Sequence, residues 1–310
     1  MMKQITDTLL MVRPATFRMN EQTVVNNYYQ TAGEVTKEDA NQQAQQEFDT
    51  FVAQLKAVGV RVIVVEEDPT QDTPDALFPN NWVSFHEAGT VALYPMFAEN
   101  RRKERRPEIL EEIKKAGFLI EQTVDYTALE QEEKFLEGTG SLVLDRENRK
   151  AYCALSPRAD KALLQKFCKD FNYEAIAFTA YQTVEGHRLP IYHTNVMMGI
   201  GVDFALVCLD CIDNPIERMQ VKQQLTESGK ILIPITEAQV DQFAGNILQV
   251  QGAQYTYLVM SSSAYNSLTK GQLAAIEQHT HILHSALTTI ETLGGGSARC
   301  MMAEVFLPKK

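Results

Sequence analysis

Three side chains that could share one covalent reaction lie far apart in this 310-residue sequence: Glu137, His193 and Cys300. Cys300 closes the run Gly294-Gly295-Gly296-Ser297-Ala298-Arg299-Cys300. Glycines let a backbone turn tightly and approach a ligand where a Cβ would clash. A thiolate is the nucleophilic form of cysteine, and a neighbouring cation such as Arg299 favours it. Taken alone, the same residue reads more readily as a small buried side chain after a glycine turn. Glu137, in Phe135-Leu136-Glu137-Gly138-Thr139-Gly140-Ser141, is an acid at the head of an apolar strand; it is either a solvated turn residue or buried with a partner. His193, in Ile191-Tyr192-His193-Thr194-Asn195, fits a hydrogen-bonded core histidine or an acid/base. Together the three would supply a nucleophile, a proton carrier and an orienting carboxylate.

The other candidates are weaker. His279, His281 and His284 fall late in a stretch read as helical, at a spacing that does not put all three on one face. His86 and His187 read as solvated residues near turns. No His-x₃-His pair lies beside a carboxylate, so no metal site is expected. Cys208 and Cys211 have redox-motif spacing, but Cys208 closes an apolar strand and no second pair completes a zinc site, so both read as structural.

These residues must be positioned by an α/β framework of recurring units. Each unit opens with a strand, turns, returns as a second strand, then adds a helix and a third short strand. The hairpins are predicted at 78–96, 135–155, 191–209 and 245–260, with helices at 105–116, 160–170, 215–228 and 269–283. The third strands are predicted at 118–120, 175–178, 231–233 and 286–290. A fifth unit looks split: strand 9–13, helix 39–58 and strand 61–65 at one end, strand 298–307 at the other. Joining the ends would complete it and close a ring, one way in which β-rich chains protect strand edges. In such a ring the first strands point at one axis and bring Asn80, Asn81, Glu137, His193, Asn195, Asn246 and Cys300 together. A doubly wound sheet would lack the hairpins and would want a glycine-rich phosphate loop after its first strand, which is missing.

Hydrophobic residues make up 45% of the chain and charged ones 22%, enough apolar content for a sizeable core. No Pro/Gly/Ser-rich linker divides it, so 1–310 is read as a single catalytic domain. The net charge of −11 argues against nucleic acid or an anionic membrane as partner. Residues 1–18 hold no apolar segment behind a basic start, and no apolar run approaches a membrane span. Five cysteines, an odd number, fit a reducing cytoplasmic location.

Four segments in order, Phe78-Pro79-Asn80-Asn81-Trp82-Val83-Ser84, Leu136-Glu137-Gly138-Thr139-Gly140-Ser141, Tyr192-His193-Thr194-Asn195 and Gly294 to Cys300, resemble the guanidino-group-modifying superfamily. That superfamily includes arginine deiminases, dimethylarginine dimethylaminohydrolases, agmatine deiminases, succinylarginine dihydrolases and glycine amidinotransferases. Within it the chain looks most like the bacterial citrulline-utilisation hydrolase type. The specificity lies in the ordered set rather than in any one match. The resemblance implies a five-bladed α/β propeller of pseudo-repeated ββαβ units, closed by pairing of the N- and C-terminal strands, with a central site. It implies Cys300 as nucleophile, His193 as general acid/base and Glu137 as the carboxylate that holds the substrate nitrogens and the histidine. Arg158, in Ser156-Pro157-Arg158-Ala159-Asp160, matches a Ser-x-Arg element whose arginine pairs with the substrate α-carboxylate; Arg102 matches a second arginine more loosely.

The sequence departs from arginine deiminases at two positions where those enzymes carry aspartate. Here they are Asn195, two residues after the histidine, and Asn81, or Asn80 if the alignment slips by one. A guanidinium is costly to bury without counter-charge, whereas a neutral ureido group has both donors and an acceptor, which asparagine matches and aspartate does not. The implied function is a cysteine-dependent hydrolase taking citrulline to ornithine, ammonia and carbon dioxide. An arginine deiminase or amidinotransferase acting on a guanidinium is the alternative, and a non-catalytic ligand-binding propeller the further one. No cofactor is expected; the partner is a small citrulline- or arginine-like amino acid, and self-association is left open.

Overall fold

The computed structural model describes residues 3–31 and 36–310. Its strands form five separate three-stranded sheets and one two-stranded hairpin. Four of the sheets follow one plan. In the first, β3 (Val83–His86) runs antiparallel to β4 (Thr90–Leu93), which is parallel to β5 (Gln122–Asp125) across the helix Pro107–Lys115. The second has β6 (Val143–Asp145), β7 (Lys150–Ala154) and β8 (Glu174–Phe178) around the helix Lys161–Phe171. The third has β11 (Met198–Ile200), β12 (Phe204–Val207) and β13 (Ile231–Pro234) around Pro215–Glu227. The fourth has β14 (Leu248–Gln251), β15 (Thr256–Ser261) and β16 (His281–Ser285) around Lys270–Glu277.

The fifth sheet joins the two ends of the chain. β1 (Thr8–Arg13) is parallel to β2 (Arg61–Glu66) across the helix Lys37–Ala57, and antiparallel to β17 (Ala303–Glu304) through Leu9↔Glu304 and Leu10↔Ala303. The mixed α/β architecture and the split unit therefore stand as the sequence predicts.

Local chemistry accounts for the elements. The central strands are mostly apolar and buried, and in Phe204–Val207 every residue is both. The helix Lys161–Phe171 starts where Asp160 accepts from the Leu163 N–H at 2.8 Å and ends at Asn172, whose φ is 55°. It buries Leu163, Leu164, Phe167 and Cys168, one face at helical spacing. The apolar clusters fill the spaces between sheets rather than one central core. Among the described residues no helix is long and apolar enough to cross a membrane.

Some predicted boundaries differ. The third strand of the first sheet is the polar Gln122–Asp125, not 118–120, because the C-terminal tail takes those apolar residues: Phe118 bridges Lys309, and the Leu119 N–H donates to the Pro308 carbonyl at 2.8 Å. In the fourth unit the helix breaks into Ser262–Ser267 and Lys270–Glu277, and the strand is His281–Ser285 rather than 286–290. His281 and His284 thus lie on a strand, and both are exposed. Only Ala303–Glu304 of the last segment is paired strand; Ala298–Met301 is a helical turn. A hairpin of β9 (Tyr181–Val184) and β10 (His187–Pro190) falls outside the repeat and was not anticipated. His86 is not solvated: it is buried against Ser84 Oγ at 2.8 Å, and burial depresses its pKa.

Candidate active site

A short helical turn precedes the first strand of most units: Pro79–Asn81, Gly138–Ser141, Thr194–Val196 and Ala298–Met301. The turn at 138–141 packs on those at 79–81 and 194–196, and 298–301 packs on 79–81. Buried polar bonds lock them together. Thr194 Oγ1 donates to the Ser141 carbonyl at 2.6 Å and accepts from the Ala154 N–H at 2.8 Å, while Thr139 Oγ1 donates to the Asn80 carbonyl at 3.3 Å. Residues 40 or more positions apart in sequence are thereby held within one polar cluster.

Cys300 and His193 both line a small pocket at this convergence, with Asn81, Arg101, Arg158 and the three glycines. The sulfur receives two amide N–H groups, Asn246 Nδ2 at 3.2 Å and Asn195 Nδ2 at 3.4 Å. Arg299, by contrast, donates to the Met302 carbonyl and to Glu304 Oε2, both at 2.7 Å, so its charge is committed away from the thiol. The glycine turn is needed where it stands. Gly295 has φ 60°, and a Cβ there would lie 2.6 Å from Asn27 Nδ2. Tyr192 Oη donates to the Gly295 carbonyl at 2.7 Å, and Ser297 Oγ to Glu291 at 2.6 Å, fixing the loop that leads to Cys300.

Glu137 is fully buried behind His193, 2.7 Å from its Nε2. Its other oxygen accepts from the Phe97 N–H at 2.9 Å. Burial alone would raise the Glu137 pKa, but Arg158 at 3.6 Å, the His193 bond and Arg101 at 4.0 Å outweigh it and hold the group at about 2. Burial pushes His193 down to about 4, against the opposing pull of Glu137. Near neutral pH the histidine is therefore uncharged, and because a carboxylate can only accept, its proton sits on Nε2. Nδ1 keeps a free lone pair. A Cβ on Gly140 would lie 2.8 Å from that Nδ1 and 2.4 Å from Asn81 Nδ2, so only glycine lets both approach this side of the pocket.

The arginines divide differently from the prediction. Arg158 is buried in the pocket wall; Nε donates to Asn26 Oδ1 at 2.9 Å, Nη2 to the same oxygen and to the Thr23 carbonyl at 3.1 Å. Asn27 Nδ2 donates to the Gly294 carbonyl at 3.2 Å, and Gln30 Nε2 to that of Leu293 at 3.2 Å, so residues 20–31 form a strap across the glycine turn. Arg102 is not in the pocket. It is part-exposed and donates to the Met96 and Phe97 carbonyls, with Glu130 at 3.5 Å. Its neighbour Arg101 is the buried one, held by Glu104 at 2.8 Å and donating to Asn81 Oδ1 at 2.9 Å. The reason is rotational: one residue in a helical turn of three per turn redirects the side chain by about a third of a circle. Asn80 is buried with neither side-chain polar atom bonded among the described residues, and Asn81 is the one that faces the pocket.

Asp75 also lines the pocket and was not predicted. One oxygen accepts from Asn20 Nδ2 at 2.8 Å; the other has no partner among the described residues, and burial raises its pKa. Nothing in the run Thr73-Pro74-Asp75-Ala76 distinguishes it from a turn acid.

A family profile described as N,N dimethylarginine dimethylhydrolase, eukaryotic, matches residues 13–307. The chain belongs to this family. It is accordingly a member of the guanidino-group-modifying superfamily, whose members of this kind are hydrolases acting on C–N bonds. No curated protein sequence matches it. Among solved structures it is similar to ArgZ, an arginine dihydrolase from the ornithine-ammonia cycle in cyanobacteria, with 17% identity, a TM-score of 0.74 and coverage of 98% of this chain and 41% of that one. The chain thus spans about two fifths of that protein's length. The N-terminal domain of ArgZ bound to product matches with 16% identity, a TM-score of 0.72 and coverage of 97% and 99%. A dimethylarginine dimethylaminohydrolase variant holding an adduct with S-methyl-L-thiocitrulline matches with 13% identity, a TM-score of 0.66 and coverage of 97% and 100%. At these identities the likeness concerns the fold.

Proposed function

We propose that the chain hydrolyses the ureido carbon of citrulline through a covalent Cys300 adduct, yielding ornithine, ammonia and carbon dioxide. The observation that carries this reading is the orientation of the Asn81 amide. Arginine only donates, so the Asn81 oxygen must face Arg101, and its nitrogen is left as a donor without a partner among the described residues. A ureido group presents a carbonyl oxygen to such a donor, whereas a guanidinium presents only N–H. Asn195 complements it: Nδ2 faces sulfur, and Oδ1, also unpartnered among the described residues, can accept an N–H. Charge points the same way. Both Glu137 oxygens are engaged and two guanidiniums stand nearby, so a neutral group is admitted at less cost than a third cation. Arg158 suits the α-carboxylate, and the free Asp75 oxygen the α-ammonium.

In the reaction the Cys300 sulfur attacks the ureido carbon, and the tetrahedral oxygen is met by amide donors such as Asn81. His193 takes the thiol proton on Nδ1 as the sulfur attacks and hands it to the departing nitrogen; it then takes a proton from the water that cleaves the thiocarbamate and returns it to the released sulfur. Glu137 holds the ring and balances the transient imidazolium. The carbamic acid released loses carbon dioxide.

We further infer that the five sheets are blades of a five-bladed α/β propeller and that 1–310 acts as one catalytic domain. In support, β17 touches β3, the 138–141 turn touches β3 and β6, β6 touches β11, β11 touches β14, and β15 touches the 298–301 turn, a cyclic order. Five free, buried cysteines fit a reducing cytoplasm.

Arginine is the second reading, favoured by the likeness to an arginine dihydrolase. Separate incubations with citrulline and arginine distinguish them. Ornithine and ammonia in equal amounts from citrulline are expected. Citrulline accumulating from arginine would indicate a deiminase, products that change on adding glycine an amidinotransferase, and no product from either a binding protein.

A further inference from the structure

We propose that Asn246, acting with Asn195, forms a cradle of two amides that holds the Cys300 sulfur as a hydrogen-bond acceptor, the state in which it attacks. The inference rests on Cys300 being the nucleophile and adds how its reactive form is maintained without a cation.

The geometry assigns the donors. Asn246 Oδ1 accepts from the N–H of Arg299 at 2.9 Å and of Cys300 at 3.4 Å. Backbone N–H groups can only donate, so the amide cannot be flipped, and Nδ2 must point at the sulfur 3.2 Å away. The same nitrogen donates to the Asn195 carbonyl at 3.3 Å, which ties the two halves of the cradle together. Asn195 adds the second donor at 3.4 Å. Two N–H groups aimed at one sulfur serve a thiolate, which accepts both, better than a thiol, which has a proton of its own to place. The charged and titratable groups around the pocket bond elsewhere: Arg299 is paired with Glu304 and Arg101 with Glu104, Arg158 donates to Asn26 and the Thr23 carbonyl, Asp75 accepts from Asn20, and His193 donates Nε2–H to Glu137. One residue thus performs two tasks, holding the backbone of the nucleophile turn with its oxygen and the sulfur with its nitrogen.

Asn246→Asp separates the tasks. One carboxylate oxygen keeps both backbone bonds; the other replaces the donor with a negative acceptor facing the sulfur. The probe is iodoacetamide, with alkylation of Cys300 followed by peptide mass over a range of pH. Relative to the unsubstituted protein, the midpoint of the profile should move up by about one pH unit or more and the rate near neutral pH should fall about tenfold, because only the thiolate reacts. A folded Asn246→Asp protein with the original profile would overturn the proposal. If that variant does not fold, Asn195→Ala decides, since the Asn195 side chain bonds only to the sulfur among the described residues: a smaller upward shift is expected, and an unmoved profile overturns the cradle. Alkylation needs no substrate, so failure of the cradle is read independently of whether citrulline is turned over.

Discussion

His193 and Glu137 show how burial and charge can set one pair of groups for work near neutral pH. Both have folded pKa values below their usual ones, His193 at about 4 and Glu137 at about 2. Wherever a folded value is depressed, the unfolded chain binds more protons than the native one, and stability is lost as pH falls. For His193 the loss begins as pH drops below its unfolded value of about 6.5, and for Glu137 below about 4.3. Activity should follow the folded values instead. The acid limb of kcat/KM is predicted near pH 4, where neutral His193 disappears; a limb between 6 and 7 in a pH–rate profile would contradict the arrangement. Glu137, His193 and Cys300 were legible in the sequence because each sits beside a glycine or strand signal and the three occur in a recognisable order. Arg101 was not, because adjacent basic residues in Arg101-Arg102-Lys103 differ only in rotation about a turn, which composition does not encode. Asp75 was missed because a single acid in a turn carries no pattern at all.

The strap of residues 20–31 is the element that stands between solvent and the glycine turn. It contains no helix or strand of its own; Asn26 bonds Arg158, and Asn27 and Gln30 bond the carbonyls of Leu293, Gly294 and Gly295. Segments without hydrophobic periodicity give no sequence signal, so this one went unread. Arg158 cannot give its full fork to a substrate carboxylate while Asn26 occupies it. Asn26→Ala is therefore expected to lower KM for citrulline up to about tenfold with little change in kcat, since a charged hydrogen bond contributes roughly 1.5–3 kcal/mol. Steady-state kinetics measure this, and a raised KM would show that Asn26 helps hold the substrate instead. The periodic elements were easier to read. Helices emerged from apolar residues at helical spacing and hairpins from turns between paired strands, and an error fell where a tertiary contact overrides local preference, as at residues 118–120.

For the molecule as a whole, the placement of Cys300 and the join between chain ends depend on the same final residues. Cys300 is followed within five residues by the pair of β17 with β1, and the Val305 N–H donates to the Thr8 carbonyl at 2.9 Å. Val305→Pro removes that donor and leaves the Thr8 carbonyl without it, which should cost about 1–3 kcal/mol. Thermal melting and turnover are expected to fall together; loss of stability at unchanged kcat would mean that the join does not position the turn. The split fifth unit was visible in sequence as an unpaired strand at each end, and the recurring hairpin–helix–strand units foreshadowed the five sheets; which strands and turns touch between sheets needed three dimensions. The central claim is that Cys300 forms the bond to substrate carbon. Its most direct test is ammonia release from citrulline by Cys300→Ser. A folded protein with no measurable turnover is expected, and release at the unsubstituted rate would show that another group attacks the substrate.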